Sequence, residues 1–92
     1  MSWTLVTTVF FERRTRKFLT KHPDLRSRFI ETMAQLRLDP FAPSLRLHAL
    51  GGKLQGIQAV SLTYRFRIAL TVQVTEGEIL LLDIGSHDEV YG

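Results

Sequence analysis

The chain has 92 residues, enough for one domain and too few for two, so residues 1–92 are read as a single unit. It has no cysteine and no run near the roughly 18 apolar residues of a membrane span, which excludes a disulfide scaffold, a thiolate site and a spanning helix. The net charge of +3 conceals an asymmetry: residues 1–67 hold all twelve Lys and Arg against four acids, a net +8, and residues 68–92 hold five acids and no base, a net −5.

A basic section of this size suits a polyanion such as nucleic acid, although solvated helix faces would give the same count. The N-terminus lacks the basic segment and apolar stretch of a secretory signal, so a cytoplasmic protein is expected.

Trp3 to Val6 reads as a short opening strand. From Val9 or Phe10 the spacing is helical, with Phe11, Phe18 and Leu19 near one face and Arg13, Arg14, Arg16, Lys17 and Lys21 elsewhere. His22-Pro23-Asp24 breaks the pattern, and a second helix is predicted from about Pro23 to Leu38. Its stripe is Leu25, Phe29, Met33 and Leu36, and Asp39-Pro40 ends it, because the residue before proline is pushed out of helix. His22 reads as a local cap or surface residue.

Residues 41–53 are irregular, with Pro43, Gly51 and Gly52. After Gly56 the period becomes two: Val60, Leu62 and Tyr64, then Phe66, Ile68, Leu70, Val72 and Val74, alternate with more polar positions. Thr75-Glu76-Gly77 predicts a hairpin turn. Glu78 to Ile84 is apolar on both faces, as in a covered interior strand. The predicted class is therefore α+β: a short N-terminal strand and a two-helix hairpin packed on a C-terminal antiparallel sheet.

Chemistry-bearing residues gather at the end of this order. Ile84-Gly85-Ser86-His87-Asp88-Glu89-Val90-Tyr91 hangs a histidine, two carboxylates and a tyrosine from the last strand. His48 lies in Leu45-Arg46-Leu47-His48-Ala49-Leu50-Gly51-Gly52. A meander can bring its loop and the last strand's end together, so His48 and His87 are candidates for an acid–base pair. A metal site built on the two would lack a third ligand at recognisable spacing. Asp88 could orient His87 or serve as a cap or surface residue. Tyr64-Arg65-Phe66-Arg67 would put two guanidiniums on one strand face, suited to phosphate oxygens, although a solvent-facing pair fits as well. Gly51-Gly52-Lys53-Leu54-Gln55-Gly56 does not have P-loop spacing, and more plainly sets a turn that presents Lys53.

Taken together, Leu38-Asp39-Pro40-Phe41, Leu47-His48-Ala49-Leu50-Gly51-Gly52, Tyr64-Arg65-Phe66 and Leu82-Asp83-Ile84-Gly85-Ser86-His87-Asp88-Glu89-Val90-Tyr91, after two basic helices, resemble the RelE/ParE superfamily of bacterial type II toxins. The likeness is closest to its YafQ-like and RelE-like ribonuclease branch and covers nearly the whole chain. The resemblance implies a microbial ribonuclease-like fold, mRNA cleavage in the ribosomal A site, and a cognate antitoxin as partner. Carried over by position, it implies catalytic roles for His48, His87, Arg65 and Tyr91, with RNA contacts from Lys53, Arg67 and Arg46 and no cofactor or metal. Ser61 stands where YafQ-like members have a further histidine, while Arg65 and Tyr91 match the RelE-like pattern. The alternatives are a ParE-like toxin acting on gyrase without cleaving nucleic acid, and a non-catalytic binding module on the same fold.

Overall fold

The computed structural model describes residues 2–91, and of Tyr91 the backbone only. Strand β1 (Thr4–Val6) leads into helix α1 (Val9–Lys21), which Thr8 caps by accepting a hydrogen bond from the Phe11 N–H at 3.0 Å. Phe11 and Phe18 are the buried residues of α1, as their spacing predicts. The helix stops at His22, and Pro23–Leu25 forms a tight 3-10 turn before α2 (Arg26–Leu38). The second helix thus begins three residues later than Pro23. Pro23 has no N–H to donate, and the Leu25 N–H bonds the His22 carbonyl three residues back, so the turn closes more tightly than an α-helix. Asp39 ends α2, and its carboxylate accepts from the Phe41 N–H at 2.9 Å.

The sheet follows as β2 (His48–Ala49), β3 (Gln58–Ser61), β4 (Phe66–Gln73) and β5 (Glu78–Ser86), and a last short helix α3 (His87–Tyr91) closes the described chain. Its order is β1-β5-β4-β3-β2. Strands β2 to β5 form the predicted antiparallel meander, and β1 joins β5 in parallel, so the whole sheet is mixed.

Ala69 faces Asp83 but Leu70 faces Leu81, so β5 carries one extra residue, Leu82. This bulge explains a spacing that strict alternation would not allow. Ile79, Leu81 and Ile84 all reach the core, stepping by two and then by three. They pack with Phe11, Phe18, Leu36, Val60, Leu62, Ile68 and Leu70. Each such side chain contributes on the order of 1.5–3 kcal/mol when fully buried.

β1 reaches only as far as Leu80 along β5. Beyond it, Arg14 of α1 covers the strand, donating from Nε to Asp83 Oδ1 at 2.8 Å and from Nη2 to the Ile84 carbonyl at 3.3 Å. Arg14, one of the basic residues of α1, therefore ties that helix to β5.

The continuous alternation through residues 60–74 conceals a chain reversal. β3 ends at Ser61 and residues 62–65 turn into β4. Neither glycine nor proline marks the turn. Instead the Thr63 hydroxyl accepts from the Phe66 N–H at 3.2 Å. Arg67 Nη1 donates to the carbonyls of Thr63, Tyr64 and Phe66 at 2.8, 2.9 and 3.2 Å. No helix among the described residues is long and apolar enough to cross a membrane.

Candidate nucleic-acid interface

His48 sits exposed on the edge strand β2, opposite Ala59. Just before it, Arg46 adopts the left-handed conformation at φ 55°, ψ 45°, uncommon for a residue with a Cβ. The Arg46 N–H bonds the Pro43 carbonyl at 3.2 Å, and its own carbonyl lies 2.9 Å from His48 Nδ1. A carbonyl can only accept, so Nδ1 carries the proton, and in the neutral ring Nε2 is then the basic nitrogen. The backbone twist at Arg46 thus aims that carbonyl at His48 Nδ1. His48 and Lys53 line one hollow of about 420 Å³ with Leu50 and Leu54, so these two candidates are brought together. Gly52, at φ 62°, makes that loop possible.

His87 opens α3 at the opposite side of the sheet. Ser86-His87-Asp88-Glu89 is a capping box: the Ser86 N–H donates to Glu89 Oε1 at 2.9 Å, and the Glu89 N–H donates to the Ser86 hydroxyl at 3.3 Å. Asp88 Oδ1 stands 3.7 Å from His87 Nδ1, beyond hydrogen-bonding distance, with its side chain fully in solvent. The capping acid is Glu89, and Asp88 is a surface residue. Gly85 makes room for the box, because a Cβ there would lie 3.1 Å from Glu89 Cβ and Oε1.

The Ser86 N–H, then the Ser86 hydroxyl, hold the Glu89 carboxyl below its ordinary pKa, and Arg14 and Lys21 add attraction. The group is depressed in the folded state, so its contribution is complete above the ordinary carboxylate range and is lost as pH falls through the lowered value. Far-ultraviolet circular dichroism and the NMR shifts of residues 86–91 should show α3 intact at neutral pH and fraying in acid. Glu89→Gln should weaken the cap at neutral pH and remove that acid dependence, and Gly85→Ala should fray α3 at every pH. A wild-type acid profile in Glu89→Gln would show that another group governs the helix.

Arg65 lies in the β3–β4 turn, not on a strand, so it does not share a strand face with Arg67 as the alternation predicts. Arg67, expected to contact RNA, commits Nη1 to the three turn carbonyls and thereby fixes Arg65 in place. The Arg65 guanidinium rests over the Phe66 ring at 5.2 Å from its centroid. Phe66 pairs with Ser86 across β4 and β5, so Arg65 and His87 each occupy the next position outward on neighbouring chain segments. The strand register thus sets Arg65 and His87, 22 positions apart in sequence, at adjacent backbone positions.

The fold also brings in His22, the local cap or surface residue of the sequence, which caps the C-terminus of α1 through its N–H on the Phe18 carbonyl at 2.8 Å. His22 stacks on Phe18 and on Phe66, both with ring centroids at 4.8 Å, and lines a small hollow of about 140 Å³ with Lys17, Lys21 and Glu89. The signal was there: Phe11, Phe18 and His22 step by seven and four along one helix face.

His48 and His87 are not brought together as an acid–base pair. β3 and β4 lie between their strands, three spacings of about 4.8 Å and so roughly 14 Å. The sheet therefore places the two histidines on strands separated by the β3–β4 hairpin. Arg46 lines a separate cleft of about 420 Å³ with Arg28, Ser61 and Tyr64. The Tyr91 side chain lies outside the described residues.

No protein-family model and no curated protein sequence matches the chain. Solved structures do. The YafQ protein of E. coli BL21(DE3) superposes with a TM-score of 0.80 at 12% identity, covering 98% of this chain and 99% of YafQ. YafQ in the E. coli DinJ–YafQ toxin–antitoxin complex gives 0.78 at 12%, with full coverage of both chains. A metal-bound toxin from Helicobacter pylori gives 0.66 at 25%, covering 98% and 99%. The fold is that of the RelE/YafQ-like toxins, the α+β architecture expected from the sequence.

Proposed function

We propose that this chain, built on the RelE/YafQ-like toxin fold, is the toxin of a type II toxin–antitoxin pair and an endoribonuclease acting on mRNA in the ribosomal A site. The observation that carries this reading is the Phe66–Ser86 pairing, which sets Arg65 beside His87 at one end of a basic molecule. In the reaction, a ribose 2′-hydroxyl attacks its own phosphorus and the P–O5′ bond breaks. The products are a 2′,3′-cyclic phosphate and a 5′-hydroxyl. The nucleophile belongs to the substrate, so the chemistry requires no metal.

The protein must take a proton from the 2′-oxygen, give one to the 5′-oxygen, and stabilise the added negative charge. Arg65, fixed through Arg67 and Phe66, stabilises the charge. His87, exposed beside it, transfers a proton at the same phosphate. His48, with Nε2 basic and Lys53 in the same hollow, meets the strand on the other side of the hairpin. Tyr91 would position the substrate beyond His87.

A protein antitoxin is the proposed partner, as DinJ is for YafQ in their complex. Val9 and Phe10 on α1 and Ile30 on α2 are exposed apolar side chains suited to its footprint. An mRNA substrate and an antitoxin partner would put the proposed activity in the cytoplasm.

Controlled expression in a bacterial host tests the reading. Growth should arrest, and primer extension should map defined cleavage sites in translated mRNA, both relieved by co-expressing a cognate antitoxin. Arrest with intact transcripts and a DNA-damage response would instead identify a gyrase-type toxin, and no arrest would identify a non-catalytic module.

A further inference from the structure

Tyr64 is 93% exposed, the most exposed large apolar side chain among the described residues. It sits at the tip of the β3–β4 turn, where an apolar ring in water contributes nothing to the core. Yet the turn beneath it is held rigidly. Arg67 donates to the Tyr64 carbonyl and to the carbonyls of Thr63 and Phe66. The ring is therefore a solvent-facing group on a fixed mount.

Its surroundings are cationic. Tyr64 lines the cleft of about 420 Å³ that also holds Arg28 and Arg46, with Gln35 and Ser61 as neutral polar groups and Glu31 as the one carboxylate. That volume falls within the range of about 300–1,000 Å³ typical of small-ligand sites. The cleft adjoins His48 through the Arg46 carbonyl, and the same turn carries Arg65 toward His87. Tyr64 thus stands between the two groups of candidate residues that the sheet holds apart.

We propose that Tyr64 is a stacking platform for an unpaired RNA base, with the flanking phosphate held by Arg28 and Arg46 in the adjoining cleft. Unstacked bases are held on aromatic faces beside guanidiniums in single-strand recognition. Tyrosine and arginine are enriched at protein interfaces too, but such interfaces have apolar cores, whereas this cleft is lined mostly by polar groups, with Gln35, Ser44, Ser61 and Thr63 beside the two arginines. The proposal rests on the ribonuclease reading above and adds the path of the strand: from the His48–Lys53 hollow, over Tyr64, to Arg65 and His87.

The test is equilibrium binding of a fluorescent single-stranded RNA, 2′-O-methylated so that it cannot be cleaved, to the purified full chain across a salt series. Tyr64→Ala should weaken binding roughly five- to 150-fold with the salt slope unchanged. Tyr64→Phe, which keeps the ring, should bind like the wild type. Arg28→Gln should reduce the salt slope by about one. Exposure of Tyr64 means that none of its variants needs to disturb folding, which circular dichroism would check. If wild type and Tyr64→Ala bind RNA equally, the platform is refuted while the ribonuclease reading stands. If the wild type binds no RNA, the platform falls, and the cleavage mapped by primer extension still decides the ribonuclease reading. If Tyr64→Ala loses antitoxin but not RNA, the ring is a protein contact and the proposal is overturned.

Discussion

Replacing His87 by alanine is expected to lower mRNA cleavage on the order of 10²–10⁴-fold and to abolish growth arrest, the loss typical of removing one general acid–base group. The variant should fold normally. His87 is 65% exposed at its side chain, and the capping box that starts α3 uses Ser86 and Glu89, leaving the helix start intact without the imidazole. A loss of activity with unchanged thermal unfolding would therefore be a loss of chemistry. Retained cleavage in His87→Ala would remove this residue from the proton-transfer role.

The same experiment distinguishes how the two histidines act. Groups that work as one unit show strongly non-additive losses, whereas residues more than about 7–10 Å apart with no shared partner add in free energy. With roughly 14 Å between their strands, losses in His48→Ala and His87→Ala should multiply in the double variant. A double variant no worse than either single one would mean that the bound strand draws both rings onto one phosphate.

Much of this arrangement was legible because it rests on local spacing. The stripes Phe11–Phe18 and Leu25–Phe29–Met33–Leu36 place both helices on the sheet, and Asp39-Pro40 stops the second. What was not legible depends on register or on side chains standing in for backbone signals. The reversal at residues 62–65 is built from the Thr63 hydroxyl and the Arg67 guanidinium, so the alternation of Leu62, Tyr64 and Phe66 runs through it undisturbed. The three carbonyl partners of Arg67 Nη1 are likewise invisible in sequence. Ser86-x-x-Glu89 carried a readable capping pattern, yet beside His87 it read as part of a proton-transfer cluster. The separation of His48 from His87 follows from strand order, which hydrophobic periodicity does not encode.

Phe66 joins the stability of the fold to the site, and Phe66→Ala should reveal both. The ring is 7% exposed, meets Phe18 edge-on at 4.9 Å, stacks with His22 at 4.8 Å and carries the Arg65 guanidinium at 5.2 Å. Truncating a buried phenylalanine costs about 3–5 kcal/mol, a large share of the roughly 5–15 kcal/mol that holds a small domain folded. At about 4–8 °C per kcal/mol for a domain of this size, the midpoint in a thermal melt should fall steeply. A melt within a few degrees of wild type would show that Phe18 and His22 close over the gap, and that the aromatic cluster is not what anchors this end of β4. Phe66→Leu separates the two roles. It keeps an apolar side chain in the core, at a cost of roughly 1 kcal/mol, but removes the ring face on which Arg65 rests. Cleavage that falls in Phe66→Leu while the melt stays near wild type would place the effect on Arg65. Cleavage that follows stability alone would leave the guanidinium positioned by the Arg67-braced turn without help from the ring.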